Sequence, residues 1–454
     1  MNVEPSLALR WSLVSPTAWR FELRQGVTFH GGEPLTAEDV VFSLTRARGG
    51  TSAWSDFLPG ITGIEAPDAG TVVVTTRAPD LILPYRLTSI PILSKRWAES
   101  HGALTPVATG ALATDAAAWR DAGTGPFVLE SFEPGARLVL ARHPGWWGTG
   151  LYPDAIDRIE QVVVPSREAA TERMLHGEAD FFWTQQAPPG LLDRLEAAPG
   201  GRVTRAETAN TQYLAFDMAS PELRASTVKG RNPFADRRVR EAIYRAVDFD
   251  GLKAALGGLA APAGMIVGRT AAGWGKELDR PPPHDPGVAR RLLAEAGYPD
   301  GFGVALDCAA SREAACRFYP EMLARVGVRA ELRLRPTGEI DRIIREHGSD
   351  FYNWGWIEAL DSILAIRRLY HGGTPYTAPG VASAELDALI DAAEVEPTTY
   401  GRDELIERLW KQVLGDILYV PLYRVVNAWA MRAPLDLPMG ANLYPQFRFA
   451  RIDR

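Results

Sequence analysis

The sequence predicts an α/β protein built from more than one domain. Short runs with period-two alternation keep giving way to runs with apolar residues at helical spacing, the order that α/β architectures follow. At 454 residues the chain is longer than one hydrophobic core normally serves. Its 46% hydrophobic and 23% charged content is that of an ordinary globular protein. No run reaches the ~18 apolar residues of a membrane-spanning helix. The formal net charge of −7 disfavours nucleic acid as a partner.

The elements follow in chain order. Trp19 to Arg46, WRFELRQGVTFHGGEPLTAEDVVFSLTR, is a strand, a turn and a helix start. Phe21 and Leu23 alternate with Glu22 and Arg24, the turn is His30-Gly31-Gly32-Glu33-Pro34, and Thr36 stands three residues before Asp39 as in a capping box. Gly70 to Thr76 reads as a strand, and Phe127 to Ala141 as a hairpin around Glu133-Pro134-Gly135. Val162-Val163-Val164 reads as a short buried strand before a helix from Arg167 to His176. Val239, Ala242, Ile243, Ala246 and Val247 form a helical stripe. Asp285-Pro286 opens the next helix, which ends at Gly297-Tyr298-Pro299. Val304 to Arg335 reads as a strand–helix–strand unit. There Met322 to Val326 is helical, Gly327 stops the helix, and Val328 to Leu334 alternate. Glu385 to Ala393 and Asp403 to Leu414 are two further amphipathic helices.

The two cysteines, Cys308 and Cys316, leave two readings open: one local bridge, or two buried thiols. No zinc spacing, P-loop, nucleophile elbow, HExxH or dinucleotide fingerprint occurs, so neither metal nor cofactor is expected. The seven histidines are scattered, and His371 alone is a weak metal ligand.

The run from Trp19 closely resembles the signature of the extracytoplasmic peptide-binding receptors of ABC importers, solute-binding protein family 5. That family carries a W-x-F-x-L-R-x-G-V-x-F-H-x-G-x-P-x-T-A-x-D-V pattern. Further segments resemble it in the same order: Thr124-Gly125-Pro126-Phe127, Leu140 to Gly148 (LARHPGWWG), Gly177-Glu178-Ala179-Asp180, Tyr213 to Asp217, Phe234 to Ala242, Ala289 to Gly303, and Val420-Pro421-Leu422-Tyr423. The resemblance implies a two-lobed periplasmic binding protein of the large peptide-binding class (type II), with a hinge of two crossing segments near Thr208–Phe216 and Pro421–Ala430. The implied lobes are 1–208 for the N-terminal part of the first, 209–426 for the second, and 427–454 for the return. Family members carry a signal segment and several tens of residues before the point matched by Leu7 to Trp11, so an N-terminal truncation is expected here.

The resemblance also implies the candidate site. The family has G-W-x-x-D-x-x-D-P where this chain has Gly355-Trp356-Ile357-Glu358-Ala359-Leu360-Asp361-Ser362, and its first Asp receives a peptide ammonium. Here that position is Ala359. Either Glu358 supplies the carboxylate, or Asp361 does, or the ligand lacks a free amino terminus. The alternative for both acids is a solvated loop and a helix N-cap. Trp354 and Trp356 are candidates for an apolar wall, with core packing as the alternative. Trp183, Gln185 and Gln186 fall on the cleft side of the first lobe, and Tyr213 at the first crossing. Arg367-Arg368 reads as a solvated basic face, with a weaker reading as a carboxylate fork.

The expected function is capture of a peptide or peptide-like solute and its delivery to membrane permease subunits, by a non-catalytic monomer at the periplasmic or cell-surface side. Two other readings compete. One is a cytoplasmic ligand-sensing regulator domain of the same fold. The other is a glycosidase using Glu358 and a second carboxylate, which needs the two ~5–10 Å apart.

Overall fold

A computed structural model describes residues 3–452, except 53, 56–57, 59, 108–119, 121, 153, 185–189 and 440–443. In chain order its strands are β1 (Ala8–Ser15), β2 (Ala18–Leu23), β3 (Ile61–Asp68), β4 (Thr71–Thr76), β5 (Phe127–Glu133), β6 (Arg137–Arg142), β7 (Arg158–Val162), β8 (Phe181–Thr184), β9 (Gly201–Phe216), β10 (Ala260–Pro262), β11 (Phe302–Ala309), β12 (Val328–Arg335), β13 (Phe351–Ile357), β14 (Val420–Arg432), β15 (Leu435–Asp436) and β16 (Arg451–Ile452). Helices are interspersed among them, as the α/β reading expects.

The motif at Trp19 folds as the pattern predicts. β2 lies in a four-stranded sheet of order β1-β2-β4-β3, with Phe21 and Leu23 buried. The helix Ala37–Ala47 starts at Thr36. The Asp39 carboxylate accepts from the Thr36 N–H at 2.9 Å and from its hydroxyl at 2.8 Å, which satisfies the helix start. Its other oxygen accepts from the Lys95 N–H at 2.9 Å, tying in the helix Lys95–Ser100. Distant motifs also meet here. The His30 N–H donates to the Gly123 carbonyl at 2.9 Å, and the Arg24 guanidinium lies 4.2 Å from the Trp147 ring centre.

The predicted hairpin is β5–β6, completed by β7 into a three-stranded sheet of order β5-β6-β7. One expectation fails here. Val162 ends an outer strand and is 37% exposed, and Val163 follows it at 59%, so the valine run is not a buried strand. Three valines in a row carry no period, and β propensity alone does not reveal how many faces are covered.

The largest sheet has the order β10-β14-β9-β13-β11-β12, with β8 also pairing with β14. The predicted βαβ unit is present: β11 and β12 run parallel from Phe302↔Val328 to Ala309↔Arg335, joined by the helix Glu313–Ala324. Cys308 and Cys316 are bridged, which resolves the two readings in favour of the disulfide. β9 and β14 run antiparallel side by side from Val420↔Leu214 to Arg432↔Gly201. One end of this pair packs with Met174, Leu191, Leu192 and Leu195. At the other end alternation splits the strand between two clusters: Leu214 and Phe216 face one, Tyr213 and Ala215 the other.

Two buried arginines lock this frame. Arg240, on the predicted helix stripe, donates to the carbonyls of Phe234, Ala235, Asp416 and Ile417. Arg424 is fully buried where β9 and β14 cross. It pairs with Glu207 of β9 and, at 2.6 Å, with Asp279. Register shifts in β14 flank it, between Pro421 and Tyr423 and between Arg424 and Val426.

Candidate functional site

β13 positions the candidate site. It pairs with β9 along its length, Trp354 opposite Tyr213 and Trp356 opposite Thr211. On its other side, β11 pairs with it only at Asp307↔Tyr352. The segment beyond Tyr352 therefore borders a loop rather than a strand. Trp354 and Trp356 share one face, two residues apart, and both are partly buried against the Tyr213 cluster. The Trp356 ring meets Tyr376 edge-on at 5.6 Å, and its indole N–H is buried without a hydrogen-bond partner. Ile82 and Tyr85, from the N-terminal region, reach the same cluster.

The two candidate acids are not open to solvent. Glu358 is 9% exposed. One of its oxygens accepts from the Leu360 N–H at 2.9 Å and the Asp361 N–H at 3.3 Å. Burial pushes its carboxyl up to about 7, against the lowering pull of those two N–H groups; Asp361 nearby also raises it, and the more distant Arg86 lowers it. Asp361 is 2% exposed. It caps the helix Ser362–Tyr370 by accepting from the Ile363 N–H at 3.0 Å, as the N-cap alternative expected. Its carboxylate also takes both Arg402 nitrogens, at 2.7 and 3.0 Å. A fork of this kind leaves a carboxylate little capacity for a further cation.

The other candidates are more scattered. Tyr213 is 1% exposed, with its ring 5.2 Å from that of Tyr419, so it packs in the core behind Trp354. Burial pushes its hydroxyl well up. Trp183 is 37% exposed, on β8 beside Trp429, whose β9 partner is Thr204. The Trp356 row crosses β9 at Thr211, seven residues further, or about 23 Å along the strand. Trp354, Trp356, Glu358, Asp361 and Tyr213 thus gather at one end of β13, and Trp183 stands apart. Gln185 and Gln186 lie outside the described residues. Arg367 pairs with Asp391 and, at 3.4 Å, with Glu394, in keeping with the solvated basic face. Among the described residues no group of His, Cys, Asp and Glu is arranged to hold a metal ion.

Sequence reasoning missed Arg312. Its guanidinium carbon lies 5.5 Å from the Trp354 ring centre, and a Cβ at Gly355 would stand 2.9 Å from its Nη2. The available signal was its position midway between the two cysteines.

An α/β frame of this kind, two packing regions joined by long shared strands with an aromatic cluster at one strand end, has the two-lobed fold of the periplasmic binding proteins. Residues 2–375 match the family described as bacterial extracellular solute-binding proteins, family 5, middle, and the chain belongs to that family. It is 27% identical over 349 residues to the glutathione-binding protein GsiB of Salmonella typhimurium, covering 74% of this chain and 62% of that protein. It is 26% identical over 326 residues to heme-binding protein A of Haemophilus influenzae, covering 66% and 55%. The matches thus span less than two thirds of these relatives. The fold agrees with a crystal structure described as a putative peptide-binding protein, AppA, from Clostridium difficile: TM-score 0.85 at 17% identity, over 100% of this chain and 92% of that one. It also agrees with AgaA from A. tumefaciens R10, solved with agropinic acid: TM-score 0.74 at 21% identity, over 100% and 90%.

Proposed function

We propose that this chain is the substrate-binding component of an ABC importer on the outer side of the cytoplasmic membrane. It captures a peptide or peptide-like solute between two lobes and presents it to membrane permease subunits, as a monomer and without chemical turnover. The proposed lobes are residues 1–208 with the return 427–454, and residues 209–426. One observation carries the reading. Ile82 and Tyr85 of the first proposed lobe join the same apolar cluster as Trp354 and Trp356 of the second, while β9 and β14 connect the two. Two extended connections permit a hinge in which few backbone angles absorb the motion. The relatives point the same way, since their names record binding of glutathione and heme. Among the described residues no helix is long and apolar enough to cross a membrane, which suits a receptor that needs a separate permease.

The test is a thermal-shift screen with peptides, sugars, opines and nickel–histidine. A solute present at a hundred times its Kd stabilises by about 2.7 kcal/mol. Small-angle scattering of the protein with any hit should show a smaller radius of gyration at saturation. Steady product formation from a bound solute would overturn the non-catalytic reading.

A further inference from the structure

The two long strands are not paired continuously where they pass between the proposed lobes. Arg424 of β14 stands opposite Thr211 of β9, and the next pair is Val426 with Glu207. Val425 alone therefore faces Thr208, Ala209 and Asn210. Extra residues of this kind disrupt the ladder and bend the strand, which gives a hinge motion a few backbone angles to be absorbed in. Glu207 is the first paired residue on the first-lobe side of the gap, and Arg424 is the first on the second-lobe side.

One ion cluster spans that gap. The terminal nitrogens of Arg424 are held wholly within the second lobe. Asp279 takes both, at 2.6 and 3.0 Å, and the carbonyls of Val267 and Pro262 accept at 3.3 and 3.4 Å. Asp279 is itself fixed, since it also accepts from the Gly264 and Met265 N–H groups and the Trp274 indole. The Arg424 Nε–H is the remaining donor, and it goes to Glu207. Arg269 pairs with the same Glu207 oxygen at 3.0 Å. It stands on a loop that leans on the gap, where a Cβ at Gly268 would lie 2.7 Å from that of Ala209. Glu207 is the first-lobe member of a cluster otherwise built by the second lobe.

We infer that Glu207 is an electrostatic latch across the hinge, and that its pairing with Arg424 and Arg269 biases the receptor toward the closed arrangement before a solute arrives. This rests on the two-lobed receptor reading. Ile82 and Tyr85 of the first lobe share the apolar cluster of the second, so the lobes touch while the latch is made. A rotation that parts them pivots about the gap and draws Glu207 away from an arginine that cannot follow. That leaves a buried N–H and a buried charge short of a partner. Glu207 lies four residues from Thr211, the β9 partner of Trp356, or about 13 Å along the strand. It is a positioning residue that acts through the hinge. A receptor whose competent form is already populated loses less affinity to conformational change.

The experiment is small-angle scattering of the unliganded whole chain, so it needs no solute. Glu207→Gln keeps the size of the side chain and removes its charge, and its radius of gyration should exceed that of the parent by a few per cent. Arg269→Gln breaks the half-exposed arm and leaves the buried pair, so its expansion should be smaller. Glu277→Gln removes an exposed pair with Arg280 inside the second lobe and should leave the radius unchanged. Equal radii for the parent, Glu207→Gln and Arg269→Gln would overturn the inference. So would an equal expansion in Glu277→Gln, or an expansion with the scattering profile of a partly unfolded chain. If Glu207→Gln does not fold, Arg269→Gln against Glu277→Gln decides alone. Any of these failures leaves the receptor reading standing, because that reading is decided by the thermal-shift panel.

Discussion

Two charged loops flank the free end of β13, and they treat their charges in opposite ways. In the turn from Glu358 to Asp361, both carboxylates are satisfied from within: by backbone N–H groups, by a helix start and by the Arg402 fork. In the turn from β11 into the helix Glu313–Ala324, a disulfide fixes the backbone and a guanidinium nitrogen is left covered and unpaired. A buried charge with all its partners in place is part of the scaffold, since removing one member costs more than the pair contributes. A buried charge without a partner is a cost to the unliganded protein that a bound ligand can remove. The contrast separates satisfied structural acids from an unsatisfied cation within one small region.

The largest effect should come from breaking the satisfied side. Asp361→Ala leaves Arg402 buried without its partner and uncaps the helix Ser362–Tyr370. A loss of roughly 3–5 kcal/mol is expected from the broken pair, with about 1 kcal/mol more from the cap. Urea unfolding followed by tryptophan fluorescence measures it. A loss below 1 kcal/mol would mean that Asp361 is free to serve a ligand.

Glu358 gives a pH-dependent effect of about 3 kcal/mol, the linkage value of a carboxyl raised from 4.5 to about 7. The folded chain holds this proton up to about pH 7, whereas the unfolded chain releases it near 4.5. Between those values the folded state binds more protons, so this group's contribution to stability falls as pH rises and is level above pH 7. Glu358→Gln removes the titrating group and keeps an acceptor for the two N–H groups. The variant should therefore gain stability over the parent at pH 8 and match it at pH 4. Equal stabilities at pH 8 would show that the Glu358 carboxyl is hydrated rather than buried.

The disulfide sharpens the other side. Closing a loop of about eight residues restricts the unfolded chain by about 2.5 kcal/mol in the chain-entropy estimate. The double variant Cys308→Ala, Cys316→Ala should lose that much stability in thermal unfolding, while the Asp361 turn keeps its protection from hydrogen exchange. Loss of protection in both loops together would show that they form one cooperative unit. The smallest effect belongs to Arg312→Met in the unliganded protein. Removing an unpaired buried charge should raise stability by about 1 kcal/mol, and a fall of that size would reveal a structural partner.

Much of the frame was legible in the sequence because it rests on local rules. The stripe at Val239, the cap at Asp285, the stop at Gly327 and the βαβ unit all appear where period and capping residues place them. The valine run at 162–164 was misread because burial depends on which sheet covers a strand, and that is a tertiary fact. The site was half legible. Trp354 and Trp356 stand at the end of β13, and the N-cap alternative for Asp361 was visible in Asp361-Ser362 before an apolar run. That Arg402 claims the Asp361 carboxylate was not visible, because the two are 41 residues apart. The same limit hid Arg312, whose meaning comes from partners it lacks. Trp183 and Tyr213 were placed by resemblance alone, and one stands about 23 Å along the strand from the Trp356 row while the other turns into the core.

The long β9–β14 pair also bears on how the chain is made. β9 ends at Phe216 and β14 begins only at Val420, so roughly 200 residues must leave the ribosome before β9 finds its neighbour. At about 5–20 residues per second, the interval is about 10–40 s. Through that time one edge of a sixteen-residue strand has no native partner and is open to pairing with other chains. Assembly of the frame is therefore bound to be late and dominated by distant contacts, the regime in which folding is slowest. A holdase that shields this edge during synthesis should raise the yield of folded protein.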